Sequence, residues 1–109
     1  MLPKENRIRK TSEFNLVFKE SKRLETEHFK VYLHLTNTKE EQISKLGIVT
    51  SAKVGNAVIR NKLRRQIKSI LKDKVIKSTK PVWVVIMVKK ATGKLGFENI
   101  QKELEIIII

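Results

Sequence analysis

The chain has 109 residues and a formal net charge of +13, from 24 Lys and Arg against 11 Asp and Glu, with a pI near 10.2. A chain of this length is expected to form one domain, residues 1–109, and 40% apolar residues suffice for a modest core. The absence of cysteine excludes disulfides and thiolate metal sites; the positive balance suits RNA, DNA or an anionic membrane and says nothing of fold.

The amino terminus is charged from Lys4 to Lys10 with no apolar run behind it, so no secretory signal is expected. Residues 1–10 read as an irregular basic arm with Arg7, Arg9 and Lys10, as readily a solvated tail as an RNA contact. A helix is expected from Thr11 or Ser12, either of which can cap it, with Glu13 favourable in its first turn. Phe14, Val17 and Phe18 then fall at helical spacing, and core packing is the first reading of both phenylalanines.

From Leu24 to Thr36 the period changes to two. Phe29, Val31, Leu33 and Leu35 share one face of the expected strand, while Lys30, Tyr32 and His34 share the other. An aromatic beside cations on a sheet face can stack an unpaired base, although a cross-strand filler is the plainer role for Tyr32. Residues 37–45 read as a polar hairpin connection. A second strand follows over Leu46 to Ser51, with Leu46, Ile48 and Thr50 opposite to Gly47, Val49 and Ser51.

The loop Ala52 to Gly55 leads to Asn56, a good N-cap, and to a helix from Ala57 to Ile76. Between Lys53 and Lys77 there are nine basic residues against one acid, Asp73. At helical periodicity Ile59, Leu63, Ile67, Ile70 and Leu71 gather on one face, and Arg60, Arg64, Arg65, Lys68 and Lys72 on another, with Asn61 among the cations. Like charges at this spacing repel by roughly 0.2–0.5 kcal/mol per pair. Folding gains nothing from such a stripe, so a polyanionic partner accounts for it best.

Lys80-Pro81 interrupts the chain. Val82 to Val88 (VWVVIMV) is a continuous apolar run, too short to span a bilayer and expected to be a central strand buried on both faces, with Trp83 in the core. Thr92 to Gly96 reads as a turn. A last helix begins near Phe97, with Phe97, Ile100, Leu104 and Ile107 on one face; the isoleucines 106–109 are unusual for an exposed helix end. The expected order is α-β-β-α-β-α, an α+β two-layer sandwich in which the basic helix is the crossover between two strands.

No catalytic constellation is legible. One Asp and ten Glu are scattered along the chain, whereas a metal-dependent nuclease needs clustered carboxylates. His28 and His34 are expected on the same face of one strand, about 20 Å apart. The segment GNAVIRNK lacks the second glycine and the Lys-Ser/Thr pair of a phosphate-binding P-loop.

The stretch KVGNAVIRNKLRRQIK resembles the protein subunit of bacterial ribonuclease P, whose hallmark is an Arg-Asn-Arg block preceded by Gly-Asn-Ala. Gly55, Asn56, Ala57, Arg60, Asn61 and Arg65 match as they stand. Lys62 replaces the second arginine, keeping the charge without the bidentate fork; Arg64 stands where lysine is usual, and Ala52 where the family often has lysine. IRKTSEFNLVFKES is similar to the family's first helix, FKVYL to its first cleft strand and the segment after GFENI to its terminal helix.

The resemblance implies a fold like the second domain of ribosomal protein S5, with a left-handed crossover. It implies a cytoplasmic ribonucleoprotein whose RNA subunit performs the Mg²⁺-dependent removal of the 5′ leader of precursor tRNA. The protein, with no catalytic residues and no metal ligands of its own, would be monomeric, one per RNA subunit, and away from membranes. Arg60, Asn61, Lys62, Arg64, Arg65 and Lys68 would meet RNA phosphates, Lys53 and Asn56 would stand at the edge of a cleft, and Phe14, Phe18 and Tyr32 would line that cleft for the leader. A structural or ribosomal RNA-binding protein of the same fold, a nuclease active alone and a duplex-DNA reader are the rival readings.

Overall fold

A computed structural model of the chain describes residues 2–35, 43–78, 80–89 and 96–107. The helices are α1 (Thr11–Glu20), α2 (Ala57–Ile76) and α3 (Phe97–Leu104); the strands are β1 (Lys22–Glu25), β2 (Phe29–Leu35), β3 (Lys45–Val49) and β4 (Val82–Val88). Of the connections expected at 37–45 and 92–96, residues 37–42 and 92–95 lie outside the described residues, as do Ile108 and Ile109.

β4 is the reason for the architecture. A strand that is apolar at every position must be covered on both faces, so it takes the interior of the sheet. The order is β1-β2-β4-β3, with β2 antiparallel to β4 and β3 parallel to it, so the segment 37–45 expected as a hairpin connection does not join paired strands: β4 lies between β2 and β3. Val82, Val84, Ile86 and Val88 join the larger core with Leu63, Ile67, Leu71 and Val75 of α2 and Ile100 and Leu104 of α3. Trp83 and Val85 face the other way, into a smaller core with Ile8 and Val17, against which Phe14, Leu16 and Tyr32 pack. The fold is α+β, a mixed four-stranded sheet with α2 and α3 on one face and α1 adding a cover to part of the second.

α2 spans the residues expected of it. Asn56 caps it, its Oδ1 accepting from Ile59 N at 3.0 Å. Trp83 is a core residue whose Nε1 donates to Ile43 O at 2.9 Å, with Lys45 Nζ 4.8 Å from its ring centre. Ile107 also enters the larger core.

Four further expectations change. First, the arm is not a solvated tail. A 3₁₀ turn at Lys4–Asn6 and a parallel bridge between Arg7 and Leu46 strap it to β3, with Leu2 and Ile8 buried at 1% and 6% exposure. Second, α1 is capped at Lys10, not at Thr11 or Ser12. The Glu13 carboxylate supplies what a capping hydroxyl would, accepting from Arg9 N and Lys10 N, each at 3.1 Å. Third, the strand read over 24–36 is two. Thr26 turns the chain, its N donating to Phe29 O at 2.8 Å and its Oγ1 accepting from Phe29 N at 3.0 Å, so that β1 pairs back on β2. Fourth, that turn separates the histidines. His28 Nδ1 lies 2.7 Å from Glu103 Oε2 on α3, whereas His34 stands edge-on to Trp83 on the α1 side of the sheet.

Gly47 lets α1 approach the sheet. A β-carbon there would stand 2.8 Å from Phe14 Cε1 and 3.0 Å from Ile8 Cβ. Alanine in a strand is ordinarily no worse than glycine. Gly47→Ala is nonetheless expected to lower stability by about 1–3 kcal/mol through overpacking. Urea unfolding checks this; unchanged stability would mean that α1 is free to move off the sheet.

Candidate nucleic-acid interface

α2 carries its cations in two settings. Asn61, Arg64, Arg65 and Lys68, with Val58, line one open recess along the helix. Arg64 is fixed there, Nη2 donating to Thr50 Oγ1 at 2.8 Å and Nη1 to Asn61 Oδ1 at 3.3 Å. Arg60 is placed differently. It precedes Leu63, Ile67 and Leu71 in the same helical column, so it continues the buried face into the first turn. Its Nε is buried and donates to no described protein atom. Lys62 is exposed but falls in the column of Ser69 and Asp73, outside the recess. Lys53 and Asn56 are exposed near the start of α2, and the Asn56 carbonyl oxygen is engaged in capping.

Among the described residues, no ion pair involves a cation of α2. The described pairs lie elsewhere: Glu13 with Lys45, Glu25 with Lys89 and Glu103 with His28. Burial, followed by the charges of Arg7 and Arg64, holds the Lys68 pKa below its ordinary value. The surface thus carries positive charge that no ion pair among the described residues neutralises.

On the α1 side of the sheet, Phe14, Phe18 and Tyr32 form a continuous aromatic strip. Phe14 and Phe18 have ring centroids 6.4 Å apart, and Phe18 meets Tyr32 edge-on at 4.9 Å. Phe14 and Tyr32 are partly buried, while Phe18 is 38% exposed. These rings therefore serve as core on one side and as a surface on the other. The sheet register extends the strip: Arg23, Tyr32, Val85 and Gly47 form one row, and Glu25, Lys30, Met87 and Val49 the next row but one along the strands, on the same face. Lys30 was legible beside Tyr32 from the period of two. Arg23 was not, because it reaches Tyr32 only through the hairpin that splits the expected strand.

The comparisons with known proteins decide the family. The Ribonuclease P family model matches residues 2–108 of the chain. The chain belongs to the ribonuclease P protein family. It is 33% identical over 104 residues to the ribonuclease P protein component of Bacillus velezensis, covering 95% of this chain and 87% of that one. The RNase P protein of Staphylococcus aureus superposes with a TM-score of 0.79 at 32% identity, covering 94% of this chain and 91% of that chain. The RNase P protein of Thermotoga maritima gives 0.75 at 30% identity, with 91% of each chain covered. RNA binding and tRNA processing come with membership of the ribonuclease P family.

The aromatic strip is anchored at the start of α1. Glu13 caps α1, which carries Phe14 and Phe18, and pairs with Lys45 of β3. Burial raises the Glu13 pKa, but Lys45 and the N–H groups of Arg9 and Lys10 outweigh it, leaving the carboxyl below its ordinary 4.5. A depressed carboxylate contributes stability above its unfolded pKa and loses it as pH falls through the folded value. Glu13→Gln should therefore be less stable than the parent at neutral pH, by up to about 1 kcal/mol, with the gap closing as pH drops below 4.5. Thermal unfolding across pH 3–7 (roughly the carboxylate range) checks this; a gap independent of pH would remove the ionised carboxylate from the account.

Proposed function

We propose that the chain is the protein component of a bacterial ribonuclease P that grips two RNAs at once. The recess of Asn61, Arg64, Arg65 and Lys68 docks on the phosphates of the catalytic RNA subunit, with Lys53, Asn56, Arg60 and Lys62 flanking it. The strip of Phe14, Phe18 and Tyr32 receives the single-stranded 5′ leader of precursor tRNA, with Arg23 and Lys30 neutralising its backbone. The observation that carries this reading is a cationic helix face with no carboxylate partner among the described residues, on a chain that also exposes linked aromatics.

The two surfaces call for different chemistry. Arginine forks and lysines neutralise phosphates with little regard for sequence. Aromatic faces stack unpaired bases and so select a single strand over a duplex. A mature tRNA lacks the leader and gains nothing from the strip, which favours the precursor as substrate.

Mg²⁺ supplies the hydrolytic chemistry in this scheme, held by the RNA subunit and the substrate. Among the described residues, no three His, Asp or Glu converge as ligands. The protein's part is to position the leader and to lower the electrostatic cost of bringing two polyanions together. One protein per RNA subunit, acting in the cytoplasm, completes the reading; no described helix is long and apolar enough to cross a membrane.

Reconstitution with a bacterial ribonuclease P RNA at low Mg²⁺ tests the whole. Added protein should accelerate leader cleavage, and no acceleration would sink the processing role. Arg64→Ala and Arg65→Ala should each flatten the salt dependence of RNA binding by about 0.7–0.9 log units per decade, while Lys102→Ala on α3 should not. Phe18→Ala should weaken binding of precursor but not of leaderless tRNA, by about 1–3 kcal/mol for each base unstacked. Equal losses on both substrates would take the leader off this strip.

A further inference from the structure

We infer that Arg7, carried by the amino-terminal strap, joins Arg64 and Lys68 in a three-cation site for an RNA backbone phosphate, so that the interface extends beyond α2. The inference rests on the RNA-docking reading above and adds to it a residue from a separate part of the chain.

The strap is a fixed element. Leu2 is buried in the core beneath α2, and Ile8 in the core beneath α1, so residues 2–8 cross the open edge of β3 from one face of the sheet to the other. Between them Arg7 is extended, with φ −111° and ψ 135°, and bridged in parallel to Leu46, while Ile8 N donates to Leu46 O at 3.1 Å. Successive side chains of an extended segment point to opposite faces, and bridged neighbours point to the same one. Ile8 faces α1, and Leu46 lies in the α2 core. Arg7 therefore projects on the α2 side.

Its direction is set as well. Arg7 Nε donates to Leu2 O at 2.9 Å, which leaves the two terminal guanidinium nitrogens without a described protein acceptor. Leu2 in turn lines a recess with Arg65, Lys68, Ser69, Lys72 and Asp73. Arg64 reaches the same neighbourhood from a different side, held by Thr50 and Asn61. Burial, and after it the charges of Arg7 and Arg64, disfavours the ammonium form of Lys68.

Three cations are thus brought together by a strap, a strand end and a helix, with no described ion pair among them. Preorganised donors of this kind suit a phosphodiester: an arginine with its terminal nitrogens open offers a fork to two phosphate oxygens, and the ammonium of Lys68 a third donor. Arg7 also borders the recess at the start of α1 that Arg9 and Lys10 line with Glu5, Glu13 and Lys45, whereas Arg9 and Lys10 line neither recess beside Lys68.

The test uses the full chain and a bacterial ribonuclease P RNA. Arg7→Gln should weaken RNA binding on the order of tenfold at moderate salt and flatten the salt slope by about 0.7–0.9 log units per decade. Arg7→Lys should restore most of the slope. Lys68→Gln should raise the thermal midpoint of the free protein while weakening RNA binding, because it removes a repelled charge. Losses from Arg7→Gln and Lys68→Gln should fall short of additivity in the double variant, since both act on one phosphate. Circular dichroism on each variant separates folding from binding. If folded Arg7→Gln binds with the parental slope while Arg64→Ala flattens it, Arg7 only fastens the strap and this site is refuted. If neither substitution changes the slope, the docking reading fails and takes this site with it. If Arg7→Gln proves unfolded, additive effects of Arg7→Lys and Lys68→Gln on RNA affinity refute the shared phosphate.

Discussion

The placement of every functional side chain depends on β4. Its residues are apolar on both faces, and a strand of that kind is stable only when each face is covered. The larger face takes α2 and α3; the smaller takes α1 and the strap. Because β3 runs parallel to β4, the chain between them must cross the sheet, and α2 is that crossing. The cationic helix and the aromatic helix are therefore set on opposite faces of one sheet, with the β3 edge between them.

Electrostatics runs against the fold on one of those faces. Core burial holds α2 in place through Leu63, Ile67, Leu71 and Val75, while its outer cations repel one another without a described carboxylate to offset them. The carboxylates that do pair secure other joints: Glu13 ties α1 to β3, Glu103 ties α3 to the start of β2, and Glu25 ties β1 to the end of β4. Local repulsion is tolerated because burial outweighs it, and an arriving polyanion relieves it. The aromatic strip follows a similar logic. Phe14 packs against Gly47 while Phe18 keeps an exposed edge, so one set of rings both completes a core and presents a surface.

The strap joins the two faces. Leu2 on one side and Ile8 on the other hold the backbone against β3, which also covers a strand edge that would otherwise be open to pairing with other chains. Its basic residues are fixed in space by these two apolar anchors.

By itself the sequence determined the central strand, the basic crossover helix with its Asn56 cap, the period-two face around Tyr32 and the family. These are written in local periodicity and in a contiguous motif, where neighbours in sequence are neighbours in space. Tertiary structure alone decided the rest. Arg7 meets Lys68 and Arg23 meets Tyr32 only through strand pairing, which brings together residues far apart in the chain. Glu13 replaced the expected hydroxyl cap because its carboxylate could also reach Lys45. Arg60 left the cationic stripe because its column is that of the core, and Leu2 and Ile8 buried a segment whose composition reads as solvated. The column of Arg60 is written in the helical period itself; in the other cases pairing or burial against a distant element decided the outcome, and no local pattern carries that information.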